Sequence, residues 1–190
     1  MPPSTHAAPP TTVLSAVLIR WPTWLAIGLA VLVGLDLGDG ADLAQTLPAM
    51  ALVYLTAAAL RRPSAAWPSA AAAVLVIFAT EAVAGDRVAT WVLIGLAVPL
   101  LAYAMWAGTK RADRSLLSPA IAMVGFAAVA AVALGVSDDV GAYLVAAGLL
   151  GHTAWDGYHL WANKAVVRSY AECCCVLDAG FAVAIVLVTL

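Results

Sequence analysis

Residues 151–178 read GHTAWDGYHLWANKAVVRSYAECCCVLD: the end of one long apolar segment, a short basic connection and the start of the next. Two histidines (His152, His159), two aspartates (Asp156, Asp178) and one glutamate (Glu172) fall inside this stretch. In a bilayer each charged side chain at a helix centre costs about 2.5–3.5 kcal/mol, so such groups face a packed interior or a wet cavity and have partners. The stretch therefore predicts two antiparallel helices that hide a polar seam between them.

Composition supports the bilayer. The 190 residues are 64% hydrophobic and 11% charged, with a mean hydropathy of +0.98, whereas soluble domains carry about 25% charged residues. The expected class is an all-α, polytopic membrane helical bundle, and no soluble domain fits between its apolar segments. The lipid bilayer is then the principal partner, and no nucleic-acid partner is expected. Residues 1–12, MPPSTHAAPPTT, lack a basic n-region and read as a short disordered tail, leaving 13–190 as one transmembrane domain.

Breaks at Gly, Pro and charge clusters divide that domain into seven apolar segments, near 22–37, 43–60, 67–84, 88–108, 116–136, 140–161 and 171–190. Residues 13–19 read as an interfacial lead-in, with Pro22 in the first turn of the first span, where its missing N–H is harmless. Basic residues fall on alternate connections: Arg20, then Arg61 and Arg62, then Lys110, Arg111 and Arg114, then Lys164 and Arg168. The opposite connections hold Asp39, Asp42, Asp86, Asp138 and Asp139, with Arg87 alone against them. By the enrichment of Lys and Arg in cytoplasmic loops, seven spans run with the amino terminus inside and the carboxyl terminus outside, in an inner membrane.

Depth and angle then locate the polar seam. At about 1.5 Å per residue, His152 lies about 14 Å from the cytoplasmic boundary and Asp178 roughly 11 Å, so the two are nearly level; His159 and Glu172 are level nearer the interface. His152, Asp156, His159 and Asn163 follow i, i+4, i+7, i+11 and share one narrow stripe. Gly148 and Gly141 continue it outward and permit close approach of a neighbouring helix. On the next helix Asp178 shares a face with Cys174 and Cys175, while Glu172 is turned about 120° away.

Four readings of the stripe are open: a hydrogen-bonded seam; a divalent metal site with His152, Asp156, His159 and Asp178 as ligands for Zn, Fe or Mn; a proton or ion path; and small-molecule or haem binding. The first leaves a membrane protein of undefined activity with a buried His/Asp site in the cytoplasmic half of the last two helices. The others make it a metal-binding enzyme, a transporter or a sensor. Cys173, Cys174 and Cys175 are consecutive, point in three directions on a helix and cannot together chelate one ion. Asp36 and Glu81 read as interfacial carboxylates with Arg87 as counter-charge, and Pro99 predicts a kink in the fourth span. No P-loop, dinucleotide fingerprint, HExxH or CxxC is present.

Gly151-His152, Trp155-Asp156 and His159, followed by Ala171-Glu172, Cys174 and Asp178, form the pattern GHxxWDxxH…AExCxxxD. It resembles the carboxyl-terminal signature of a family of small, multi-spanning, uncharacterised bacterial membrane proteins. The resemblance covers about the last 40 residues, implies a membrane bundle and implies no activity. The Ser/His pair and late HxxxH of seven-span hydrolases related to alkaline ceramidases do not occur.

Overall fold

The computed structural model describes residues 13–111 and 114–190, and the tail expected at 1–12 lies outside them. The described residues are almost wholly helical: α1 (Val13–Ile19), α2 (Trp21–Asp36), α3 (Thr46–Ala59), α4 (Ala66–Ala84), α5 (Asp86–Arg111), α6 (Leu117–Ala133), α7 (Asp138–Ala162) and α8 (Arg168–Thr189). Each of the seven apolar segments carries one of the helices α2 to α8. The break at Arg20 separates α1 as a short lead-in, and Pro22 occupies the first turn of α2, where its ring is pre-set for the helix and removes no hydrogen bond.

The connections are chemically cued. Gly85, at φ 87, closes α4, a left-handed geometry that suits a residue without Cβ, and α5 begins at the next residue. Asn163 (φ 52) ends α7 in the left-handed conformation, a second choice to Gly at that position. Asp138 and Asp139 stand in the first turn of α7, where acidic groups complement the helix dipole. Pro99 lies within α5, which continues as one helix on both sides of it.

Among the described residues, three helical stretches are long and apolar enough to cross a membrane by themselves: Pro63–Ala84, Asp86–Lys110 and Arg168–Thr189. Trp21–Asp36 and Leu117–Ala133 are shorter apolar helices. The remaining two long elements differ in a way that positions the site. α3 is buried on nearly every side and packs against α4, α5, α6 and α7, so it is the central rod of the bundle. α7 dilutes its apolar character with His152, Asp156 and His159, and turns all three inward.

Close approach of the helices depends on small residues. A Cβ on Gly148 of α7 would lie 2.8 Å from Leu47 Cδ1 of α3, and a Cβ on Gly180 of α8 would lie 2.6 Å from the Ala30 Cβ of α2. Small residues at these crossings let the helix backbones approach closely and gain van der Waals packing. One core cluster, including Leu47, Val145, Leu149, Phe181 and Ile185, fills the space between α3, α7 and α8 on one side of the polar groups. A second, including Val53, Ala57, Tyr170 and Ala171, closes the other side.

Candidate functional site

His152 and Asp156 are one helical turn apart on α7 and face α8, which brings Asp178 to the same point. His152 Nδ1 lies 3.1 Å from Asp156 Oδ2 and 2.8 Å from Asp178 Oδ2. The three side chains are at most 1% exposed, and one donor atom from each lies within 4.8 Å of the others. The described residues thus contain a buried His/Asp cluster where the last two apolar segments meet.

A fourth member comes from α3. The Tyr54 hydroxyl donates to Asp156 Oδ1 at 2.5 Å, and the whole residue is 1% exposed. Its position follows from the close contact of Gly148 with Leu47, because Tyr54 lies seven residues, about two helical turns, further along α3. The Tyr54 ring meets His152, Trp155, His159 and Tyr170 edge-on, at centroid distances of 5.0–6.2 Å. These arrangements set the positive edge of one ring against the negative face of another. The signal in the sequence was one tyrosine in the otherwise apolar run of α3, since a buried phenol needs a hydrogen-bond partner.

Proton accounting shows what is unusual here. A single imidazole nitrogen faces two carboxylate oxygens, and it carries at most one proton. Asp178 Oδ1 and Thr153 Oγ1 are buried with no hydrogen-bond partner. Buried polar groups are nearly always paired. Two carboxylates with one imidazole therefore leave unbalanced negative charge in an apolar interior unless a proton or a cation joins them.

The other residues expected at the site are placed around it in different roles. His159 is buried, but its Nδ1 donates 2.9 Å to the Trp155 carbonyl of its own helix; its ring lies tilted against Trp155 and edge-on to Tyr54. It does not join the cluster of three. Asn163, expected on the stripe, is the exposed left-handed cap of α7, because the helix ends just before it. Glu172 accepts from Arg20 Nη1 at 3.1 Å and Thr23 Oγ1 at 2.7 Å, and so ties α8 to α2 away from the cluster. Cys173 and Cys174 are buried, and Cys175 directs its thiol at the Thr153 carbonyl at 3.7 Å. Arg87 is not the counter-charge of Glu81: it reaches the Leu134 carbonyl and Asp138, and Glu81 accepts from Gln45 instead.

An apolar groove of about 610 Å³ runs along the outer face of α6, lined by Ile121, Gly125, Phe126 and Val129 and by Trp155 of α7. Phe126 both lines this groove and packs against the His152 ring, with centroids 5.0 Å apart. Compared with known proteins, the chain matches no family model, no curated protein and no solved structure.

Proposed function

We propose that the chain is a seven-span inner-membrane protein whose His152–Asp156–Asp178 cluster binds one divalent transition-series ion such as Zn, Fe or Mn. The observation that carries this reading is the meeting of three ligand-type atoms within 4.8 Å in a fully buried place. Ligand atoms bound at about 2.0–2.1 Å in a tetrahedron are roughly 3.3 Å apart, close to the 3.1 and 2.8 Å separations around His152 Nδ1. A divalent ion, two carboxylates and a neutral imidazole sum to zero charge, which suits an apolar surround. Imidazole with carboxylate favours Zn, Fe or Mn over Ca or Mg. Tyr54, bonded to Asp156, serves as the outer partner that orients a ligating carboxylate.

The convergent residues are the first His, the first Asp and the final Asp of the pattern GHxxWDxxH…AExCxxxD. Sidedness is supported by which connections meet. Arg20 at the start of α2 pairs with Glu172 at the start of α8, and Arg87 at the start of α5 pairs with Asp138 at the start of α7. The first pair belongs to the basic, cytoplasmic end and the second to the acidic, outer end. A metal-free hydrogen-bonded seam is the second reading, favoured by the unbroken chain from Tyr54 through Asp156 and His152 to Asp178.

Elemental analysis of the detergent-purified protein separates them. About one Zn, Fe or Mn per wild-type chain and none in the Asp178→Asn variant supports the metal centre. A metal-free wild type whose melting ignores chelator overturns it.

A further inference from the structure

The apolar groove along α6 shares a wall with the buried cluster. Its volume of about 610 Å³ falls within the range of about 300–1,000 Å³ usual for ligand sites. From Leu117 to Val129 the lining rises roughly 18 Å along α6 at about 1.5 Å per residue. That length is close to the roughly 15 Å that one leaflet contributes to a hydrocarbon core about 30 Å thick. Leu117, Ile121 and Gly125 are exposed along it, and a Cβ on Gly125 would meet nothing within 4 Å, so the middle of the trough has room for more than the helix itself supplies.

Two rings separate the trough from the centre. Phe126 lines it and meets the His152 ring edge-on at 5.0 Å; Trp155 lines it and lies 4.6 Å from the His159 ring and 6.0 Å from the Tyr54 ring. The wall here is one side chain thick. The two ends of the groove differ chemically. Ser118 brings a hydroxyl to the lining at the start of α6, the end that follows the basic connection, where Lys110, Arg111 and Arg114 stand against Asp113 alone. Toward Val129 the lining of α6 is wholly apolar.

We propose that this groove binds one acyl chain of an anionic phospholipid, with the headgroup at the basic connection between α5 and α6 and the hydrocarbon lying along α6 as far as Val129. The apolar lining suits the chain, and the net positive connection suits the head, because Lys and Arg beside a membrane attract anionic lipid. The bound chain backs Phe126 and Trp155 on the side away from His152 and keeps water off the thinnest wall of the centre. The inference rests on the bilayer reading of the chain and not on the metal: a metal-free protein can still hold the lipid, and topology reporters test the bilayer reading without any lipid measurement.

The test uses the full-length protein in detergent, washed free of co-purified lipid and titrated with dioleoyl phosphatidylglycerol or, in parallel, dioleoyl phosphatidylcholine, while thermal melting is followed and bound phosphorus is counted after gel filtration. Wild type is expected to retain about one phosphatidylglycerol per chain and to melt at a higher temperature in a saturable way, with a midpoint about tenfold or more below that of phosphatidylcholine. Gly125→Phe, which puts a ring into the trough, should raise the phosphatidylglycerol midpoint about tenfold or more, while Val124→Phe, exposed on α6 outside the lining, leaves it unchanged. If Gly125→Phe does not fold, Ile121→Trp carries the comparison. Phosphatidylglycerol with brominated chains should quench a share of the tryptophan emission that is missing in Trp155→Phe. No saturable response, equal midpoints for the two lipids, saturation by free oleate at the same midpoint, a midpoint unmoved in the groove variants, or the same quenching in Trp155→Phe overturns the proposal.

Discussion

His152 and Asp178 are 26 positions apart in sequence, yet Nδ1 of one and Oδ2 of the other lie 2.8 Å apart with both side chains buried. The contact joins α7 to α8 in a fully buried place, where an unpaired charged side chain would be costly. Every expectation about the centre follows from how strongly each neighbouring residue depends on that contact.

Membership of the metal centre should divide the polar residues of α7 and α8 sharply. Asp156→Asn and Asp178→Asn are expected to lose bound metal, whereas His159→Gln and Glu172→Gln keep it, because His159 bonds its own helix and Glu172 bonds α2. Metal-to-protein ratios from elemental analysis check this. Equal loss in all four variants would show that the wider polar stripe, rather than the cluster of three, holds the ion.

Tyr54→Phe removes one hydroxyl and leaves Asp156 Oδ1 buried without its donor. An unmade hydrogen bond of this kind costs about 1–3 kcal/mol. Denaturant unfolding in detergent micelles should show that loss, and an unchanged midpoint would mean that the phenol contributes nothing to the site.

The glycines offer a graded packing test. An alanine Cβ at Gly141 would lie 2.6 Å from the Ala133 backbone carbonyl, at Gly148 it would meet the movable end of Leu47 at 2.8 Å, and at Gly28 it would meet nothing within 4 Å. Overpacking costs typically 1–3 kcal/mol (about) where the neighbour cannot move. Gly141→Ala should therefore destabilise most, Gly148→Ala less and Gly28→Ala least, as read by thermal melting in one detergent.

Orientation is open to a direct assay. A reporter active only outside the cytoplasm should work when fused after Leu190, and one active only inside should work at Arg114, since basic residues alternate with acidic ones along the connections. Swapped activities would reverse the orientation, and like activities at both points would change the number of spans.

Asp42, in the 3₁₀ turn Gly40–Leu43 ahead of α3, predicts a pH dependence. Its carboxyl is raised from 3.8 to about 6, so between these values the folded state holds a proton that the unfolded state has released. Its stabilising contribution is present in acid and is lost as pH rises through about 6. In chelator-treated protein the melting temperature of wild type relative to Asp42→Asn should fall between pH 4 and pH 7, pH values chosen to lie about either side of that window. A difference that stays flat or rises would show that the carboxyl is not strained by its neighbours.

The helices and much of the centre are legible in the amino-acid order, because both depend on local periodicity. Seven apolar segments, Pro22 at a helix start, Gly85 between α4 and α5 and the single-turn spacing of His152 and Asp156 are set within a few residues of chain. Asp178 was placed level with His152 because two neighbouring helices joined by a short connection share a depth scale. Which way each helix faces is set by packing across the bundle. That rotation depends on side chains meeting across helices, such as Gly148 against Leu47 and Gly180 against Ala30, and no local period records it. It brought Tyr54 to Asp156 from 102 positions away, sent Glu172 to Arg20 and Thr23, and gave Arg87 to Asp138 while Gln45 took Glu81. His159 left the cluster for a related reason: its Nδ1–H found the Trp155 carbonyl one turn back, a bond that a helix supplies wherever the rotamer permits.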